Sequence, residues 1–214
     1  FHAMDITVPS SIEKLVEDTV STFGRIDVLV NNAANVGLKD GRMDEVTLEM
    51  WDDIFASDIR GPFYVTKCVL PHMRKNPQGG SIVNIGSMAA CGGDLGATAY
   101  ACAKAGVDAL TKSVALQYGK DNIRCNCVRP GLIVTPDNEP RIPQVLKDIF
   151  LSNIMVNRYG CPEDIGHACV YLRKSAEKYA SSDGLRGKIC PGRFRQWGEQ
   201  SELYCGYARV HCIV

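Results

Sequence analysis

Three side chains in this sequence have the types and the spacing for proton chemistry: Ser87, Tyr100 and Lys104. Tyr100 and Lys104 are four residues apart, which on a helix places both on one face. An ammonium beside a phenol favours the phenolate and lowers the phenol's pKa from its usual value of about 10. A phenol tuned in this way gives or takes a proton near neutral pH, as general acid–base catalysis requires. Ser87 precedes Tyr100 and follows the apolar run Ser81–Ile85. From there its hydroxyl could hold a carbonyl or alcohol oxygen beside the phenol. The Tyr-x-x-x-Lys pair alone is a weak signal, since such pairs commonly just share a solvated face. Its place after a buried strand and a glycine-rich loop gives it weight.

The elements that must position these residues follow from the apolar pattern. Met4 to Thr7 reads as the end of a buried strand. Ile12, Leu15, Val16, Thr19, Val20 and Phe23 recur at helical spacing, predicting an amphipathic helix over 9–23. Pro9 suits its first turn and Gly24 its end. The run 26–30 has the character of a strand covered on both faces. Thr47 is a candidate N-cap for a long helix to about Arg74, with one irregularity near Gly61-Pro62. Strands over 81–85 and 123–128, helices over 100–119 and 162–172, and a short helix near 143–153 complete the series. Strands alternating with long helices predict parallel pairing by crossovers. The fold expected is therefore α/β: a doubly wound, Rossmann-like parallel sheet with helices on both faces, incomplete at its N-terminal strands. Ligands on such sheets bind outside the C-terminal strand ends, and the candidate residues fall at those ends or on the helices that follow.

Across about residues 3–172 the sequence resembles the short-chain dehydrogenase/reductase family of the 250-residue type. The resemblance rests on Asp5, Asn31-Asn32-Ala33-Ala34, Ser87, Tyr100-Ala101-Cys102-Ala103-Lys104, the run from Arg129-Pro130-Gly131 to Thr135, and the run from Arg158-Tyr159-Gly160 to Ile165. It implies an NAD- or NADP-dependent oxidoreductase that interconverts a carbonyl and a secondary alcohol. In that reading Tyr100 is the proton donor or acceptor. Lys104 lowers its pKa and holds the nicotinamide ribose, and Ser87 orients the substrate oxygen. Asp5 and Ile6 lie at the adenine, Asn32 and Ala33 line the adenosine side, and Pro130, Ile133 and Thr135 border the nicotinamide amide. Asn31 is at least as well read as a structural tie between strands. The family usually has Asn where this chain has Asp58. Near Lys104, Asp58 would favour the ammonium and disfavour the phenolate; on an exposed helix face it would do little.

Two further departures concern the ends. The family's Thr-Gly-x-x-x-Gly-x-Gly turn, whose amides hold the pyrophosphate, is not in this sequence, and neither is the strand after it. The chain opens on Phe1, so a truncated N-terminus is expected, with an exposed sheet edge and weakened cofactor binding. The alternative reading is accordingly a catalytically inactive remnant or binding module. Residues 1–172 are read as a partial Rossmann-like domain and 173–214 as a divergent segment of uncertain order. In that segment eight Lys and Arg stand against four acids, and Gly187–Gly192 is a distorted echo of the family's closing strand. A frameshift or aberrant splice after about Tyr179 would account for the change.

Composition narrows the partners. A formal net charge of +0 offers no field for nucleic acid. No apolar run approaches the roughly 18 residues that span a bilayer, and no signal peptide opens the chain. The 10 cysteines lack metal-ligand spacing and read mostly as small buried hydrophobes in a reducing, cytoplasmic setting. Cys125 and Cys127 should share one face of a strand. No metal is expected. The partner is a small carbonyl or alcohol, its identity open, under a moderately apolar loop over 136–157. The family resemblance implies a homodimer or tetramer through the helices 47–74 and 100–119.

Overall fold

The computed structural model describes residues 1–35, 40–92, 94, 96–174 and, as backbone, 208–213. Pro9 and Gly24 bound helix α1 (Pro9–Phe23) as the sequence predicts, and Gly24 takes the left-handed conformation at φ 78°. Strands β1 (Val28–Asn31), β2 (Gly80–Ile85), β3 (Ile123–Pro130) and β4 (Ala208–Ile213) pair in parallel in the order β1-β2-β3-β4. Between β1 and β2 lie α2 (Leu48–Phe55) and α3 (Gly61–Met73); α4 (Thr98–Tyr118) joins β2 to β3. After β3 come α5 (Gln144–Asn153) and α6 (Pro162–Arg173).

Alternation along the strands builds a core on each face of the sheet. Ile82 and Cys125 meet α1, α3 and α4 through Ile12, Val69, Met73 and Val114. Val83 and Val128 point the other way and meet Leu172, Ile165 and Cys169 of α6. Cys127 also faces α4, so Cys125 and Cys127 share a face as their spacing requires.

Several expectations need correction. Met4 to Thr7 is a turn, not a strand: the Asp5 carboxylate accepts from the Thr7 amide at 2.8 Å and the Thr7 hydroxyl at 2.7 Å, which closes an Asx turn into α1. Strand β1 is not covered on both faces. Leu29 packs into the core, but Val28 and Val30 are 37% and 43% exposed, because no described helix covers that side at this edge. The long helix is interrupted by a π-helical turn at Ala56–Arg60, where Gly61 N–H reaches Ala56 O, five residues back. Pro62 has no N–H and its ring would strike the carbonyl four residues earlier, so the ladder widens just before it. Of the described cysteines only Cys125 and Cys127 are buried; Cys91 and Cys102 are exposed and the rest are half-buried. Strand β4 occupies a stretch where the sequence reading assigned none, although Ala208–Ile213 alternates in the manner of a strand. The Gly187–Gly192 echo and the proposed break after Tyr179 lie outside the described residues.

Candidate active site

Parallel pairing brings the C-terminal ends of β1, β2 and β3 to one edge, and the chemistry collects there. Strand β2 ends at Ile85. Gly86 follows, its N–H bonded to Val128 O at 2.7 Å; a Cβ there would stand 2.7 Å from Cys127 Sγ. Only a glycine lets this backbone lie so close to β3, and the approach sets the height of Ser87. The Ser87 hydroxyl accepts from Ala89 N–H at 3.1 Å, capping a short 3-10 turn. The Ser87 side chain acts on the Tyr100 phenol in the direction that favours the phenolate. Tyr100 sits on the first turn of α4 and Lys104 one turn later, with its Nζ 5.5 Å from the Tyr100 ring centroid.

Lys104 is 2% exposed. Its ammonium donates to Ile85 O at 3.2 Å and lies 3.5 Å from Asp58 Oδ2. Asp58 is fully buried in the π turn, so it is not an exposed helix residue. Asp58 Oδ1 accepts from Asn35 N–H and from the Ser57 hydroxyl, each at 2.6 Å. The electrostatics differ from the expectation of a lowered phenol pKa. Burial pushes Tyr100 above its ordinary value; the Ser87 side chain opposes this, and the Asp58 and Asp94 carboxylates add to it. Burial likewise lowers Lys104, with Asp58 pulling it back up. The Lys104 ammonium is thus paired with a carboxylate that itself opposes the phenolate.

The other sequence candidates divide into two groups. Asn32 and Ala33 are exposed just past β1. Pro130 ends β3; Ile133 pairs with Gly160, and Thr135 is locked in a turn, its N–H donating to Asn138 Oδ1 at 2.8 Å. Asn32, Ala33 and Pro130 thus lie at or just past the C-terminal ends of β1 and β3. Asp5 is held in the turn before α1, while the Ile6 side chain packs against Gly61 and the core, which leaves only the Ile6 backbone for a ligand. Asn31 is structural: its Nδ2 donates to Asn84 Oδ1 at 2.8 Å and Thr66 Oγ1 at 3.2 Å, and Asn84 passes on to Thr111 at 2.9 Å. Sequence reasoning missed Asp40. Its carboxylate accepts from the amides of Ala99 and Tyr100 at 3.2 and 2.8 Å. It also missed the buried group Asp108, Arg129 and Cys127, in which Arg129 pairs with Asp108. No local pattern marks either set, because the partners are far apart in sequence.

A family model described as enoyl-(acyl carrier protein) reductase matches residues 1–185. A 3-oxoacyl-[acyl-carrier-protein] reductase from Thermotoga maritima is 37% identical over 190 residues, covering 88% of this chain and 76% of the relative. The chain belongs to the short-chain dehydrogenase/reductase family. Among other family members, a 7alpha-hydroxysteroid dehydrogenase from Clostridium sardiniense is 37% identical over 201 residues, covering 93% and 73% of the two chains. A solved structure titled ElxO with NADP bound superposes with a TM-score of 0.75 at 29% identity, covering 82% of this chain and 71% of that one. An NAD+-bound xylitol dehydrogenase superposes with a TM-score of 0.76 at 26% identity over 82% and 73%. Short-chain dehydrogenases are NAD- or NADP-dependent oxidoreductases, and the α/β parallel sheet described above is their fold.

The residues present fit the nicotinamide half of such a cofactor. An ammonium has three donors; Lys104 gives one to Ile85 O and is ion-paired with Asp58 Oδ2 at 3.5 Å, so a donor is available for a ribose hydroxyl. The pyrophosphate half has no glycine-rich turn within these 214 residues.

Proposed function

We propose that this chain interconverts a carbonyl and a secondary alcohol with NAD or NADP, using Ser87, Tyr100 and Lys104. The observation that supports it most is the Tyr100 ring beside the buried Lys104–Asp58 pair, 5.5 Å from the Lys104 ammonium, where β2 and β3 end. The cofactor supplies or accepts the hydride. Ser87 holds the substrate oxygen by a hydrogen bond. Tyr100 gives that oxygen a proton in reduction and takes it back in oxidation. Lys104 fixes the phenol and holds the ribose; Asp58 keeps Lys104 in place. Asn32 and Ala33 lie on the adenosine side with Asp5 and the Ile6 backbone, and Pro130, Ile133 and Thr135 border the nicotinamide amide. The substrate is a small molecule. The half-buried and exposed apolar residues of 136–157, among them Ile149 and Phe150, suit an apolar one. Exposed Phe63 on α3 and Leu116 on α4 support association of like chains through those helices. Among the described residues no helix is long and apolar enough to cross a membrane, and the cysteine usage suits the cytoplasm.

One specific feature favours a second reading, an inactive remnant or binding module: the Asp58 carboxylate opposes the Tyr100 phenolate. Titrating the purified chain with NADH and NADPH by fluorescence separates the two. Saturable binding, with carbonyl-dependent oxidation that falls about 10²–10⁴-fold in Tyr100→Phe, supports the enzyme. No binding at millimolar cofactor supports the remnant.

A further inference from the structure

Helix α4 carries both Tyr100 and Lys104, yet it lacks a cap of its own. Its N-cap is Ala97, with no side-chain hydrogen bond. The first amides of a helix have no intrahelical acceptor and need one from elsewhere. Here they find it on a different loop. Asp40 Oδ1 accepts from Ala99 N–H at 3.2 Å and Asp40 Oδ2 from Tyr100 N–H at 2.8 Å. The next residue strengthens the attachment: Gly41 O accepts from the Thr98 hydroxyl at 2.9 Å and the Thr98 amide at 3.3 Å. Asp40 Oδ1 also takes the Gly41 amide at 2.9 Å, which fixes the carboxylate's orientation. On the β1 side of the same connection, the Asn35 amide donates to Asp58, the counterion of Lys104. One connection thus grips both arms of the pair, Tyr100 through Asp40 and Lys104 through Asp58.

We infer that Asp40 is a positioning residue: delivered from the loop after β1, its carboxylate caps α4 from a distance and fixes Tyr100 on the first turn of that helix. The inference rests on the Ser87–Tyr100–Lys104 reading for its functional meaning, but its test needs no turnover. A carboxylate at this point both satisfies two amides and faces the positive end of the helix. Without it the first turn of α4 frays, and Tyr100 is on that turn. The rest of α4 is held by its buried face, Val107, Thr111, Val114 and Ala115, and should not respond.

The test uses the full chain without cofactor, in two readouts: amide hydrogen exchange along α4, and the ring resonance of Tyr100, assigned as the one missing from Tyr100→Phe. Asp40→Ala is expected to speed exchange at Ala99 and Tyr100 by roughly two- to thirtyfold, the span of measured cap losses. It should shift the Tyr100 ring resonance and leave Val107 and Val114 as they were. Adding Ala97→Asp, which supplies a cap at the ordinary position, should restore both readouts. Unchanged exchange and ring resonance overturn the inference, as does acceleration spread evenly along α4, which marks lost global stability alone. If Asp40→Ala does not fold, Asp40→Asn carries the test. It retains one acceptor, so one of the two amides should lose protection, and protection kept at both overturns the proposal. Turnover retained by Tyr100→Phe would remove the catalytic reading and leave the cap standing, so the two failures are distinguishable.

Discussion

Asp58 decides how charge is shared at the site. The Lys104 ammonium stands 5.5 Å from the centroid of the phenol ring, and its counterion Asp58, fully buried, is 3.5 Å from it. Removing one partner of a buried pair leaves the other uncompensated, commonly at a cost of about 3–5 kcal/mol. Asp58→Asn is the milder test, since it keeps an oxygen for the Asn35 amide and the Ser57 hydroxyl. Tyr100 lies above its ordinary pKa, first because it is buried and then because Asp58 and Asp94 repel the phenolate. In alcohol oxidation Tyr100 must act as the phenolate, so the rate rises with pH until the phenol has ionised. Deleting the Asp58 charge makes the phenolate easier to form, so the rising limb of kcat/KM should move to lower pH in Asp58→Asn. In carbonyl reduction, which needs the phenol, the falling limb should move in the same direction. A profile that stays in place, or moves upward, would show that Tyr100 does not feel this carboxylate. The placing of Tyr100 and Lys104 one turn apart on a single helix was legible in the sequence from their spacing. The sign of the phenol's shift was not, because it depends on burial and on a residue from another element.

At the scale of elements, two local irregularities shape the site. The π turn at Ala56–Arg60 arises because Pro62 cannot continue the ladder, and it carries Asp58. The dipeptide Gly61-Pro62 signals the irregularity in the sequence, but not that it widens the helix by a residue. Gly86 is the second. A methyl group there would meet Cys127 Sγ at 2.7 Å, in a strand buried on both sides. Gly86→Ala should therefore cost about 1–3 kcal/mol, the usual range for overpacking. The loss would appear as a lower midpoint in denaturant with little change in slope. Because Ser87 is the next residue, kcat should fall further than the stability loss explains at temperatures where the chain stays folded. An unchanged midpoint would mean that β2 and β3 can separate freely at this point. The elements that the sequence revealed are those whose apolar residues repeat at one period, such as α1 and α6. Met4–Thr7 was misread because a short apolar run carries no period, and the Asp5–Thr7 turn outcompetes a strand. Asp40 escaped notice because its acceptors serve amides 59 and 60 residues away.

The sheet as a whole is covered unevenly. Its α3–α4 face is closed, and α6 closes the opposite face over Val83 and Val128. At β1 no described helix covers that second face, and Val28 and Val30, two residues apart and on the same side, are 37% and 43% exposed. The sequence could not show this, because a run such as Val28–Asn31 reads the same whether or not anything lies on it. An apolar edge strand with one bare face invites pairing between chains. Replacing both valines by threonine keeps the β-branched shape that suits a strand while making the open face polar. The Leu29 side, which is packed into the core, is untouched. Val28→Thr with Val30→Thr should therefore reduce concentration-dependent light scattering and dye binding to exposed apolar surface. Since both side chains are exposed among the described residues, stability should stay within about 0.5 kcal/mol of the parent, as is usual for surface positions. Scattering that persists at the parent's level would place the self-association elsewhere, with the exposed Ile149 and Phe150 of α5 next to be tested. A large loss of stability would instead mean that these valines are covered in the folded chain and that this face of β1 is not open.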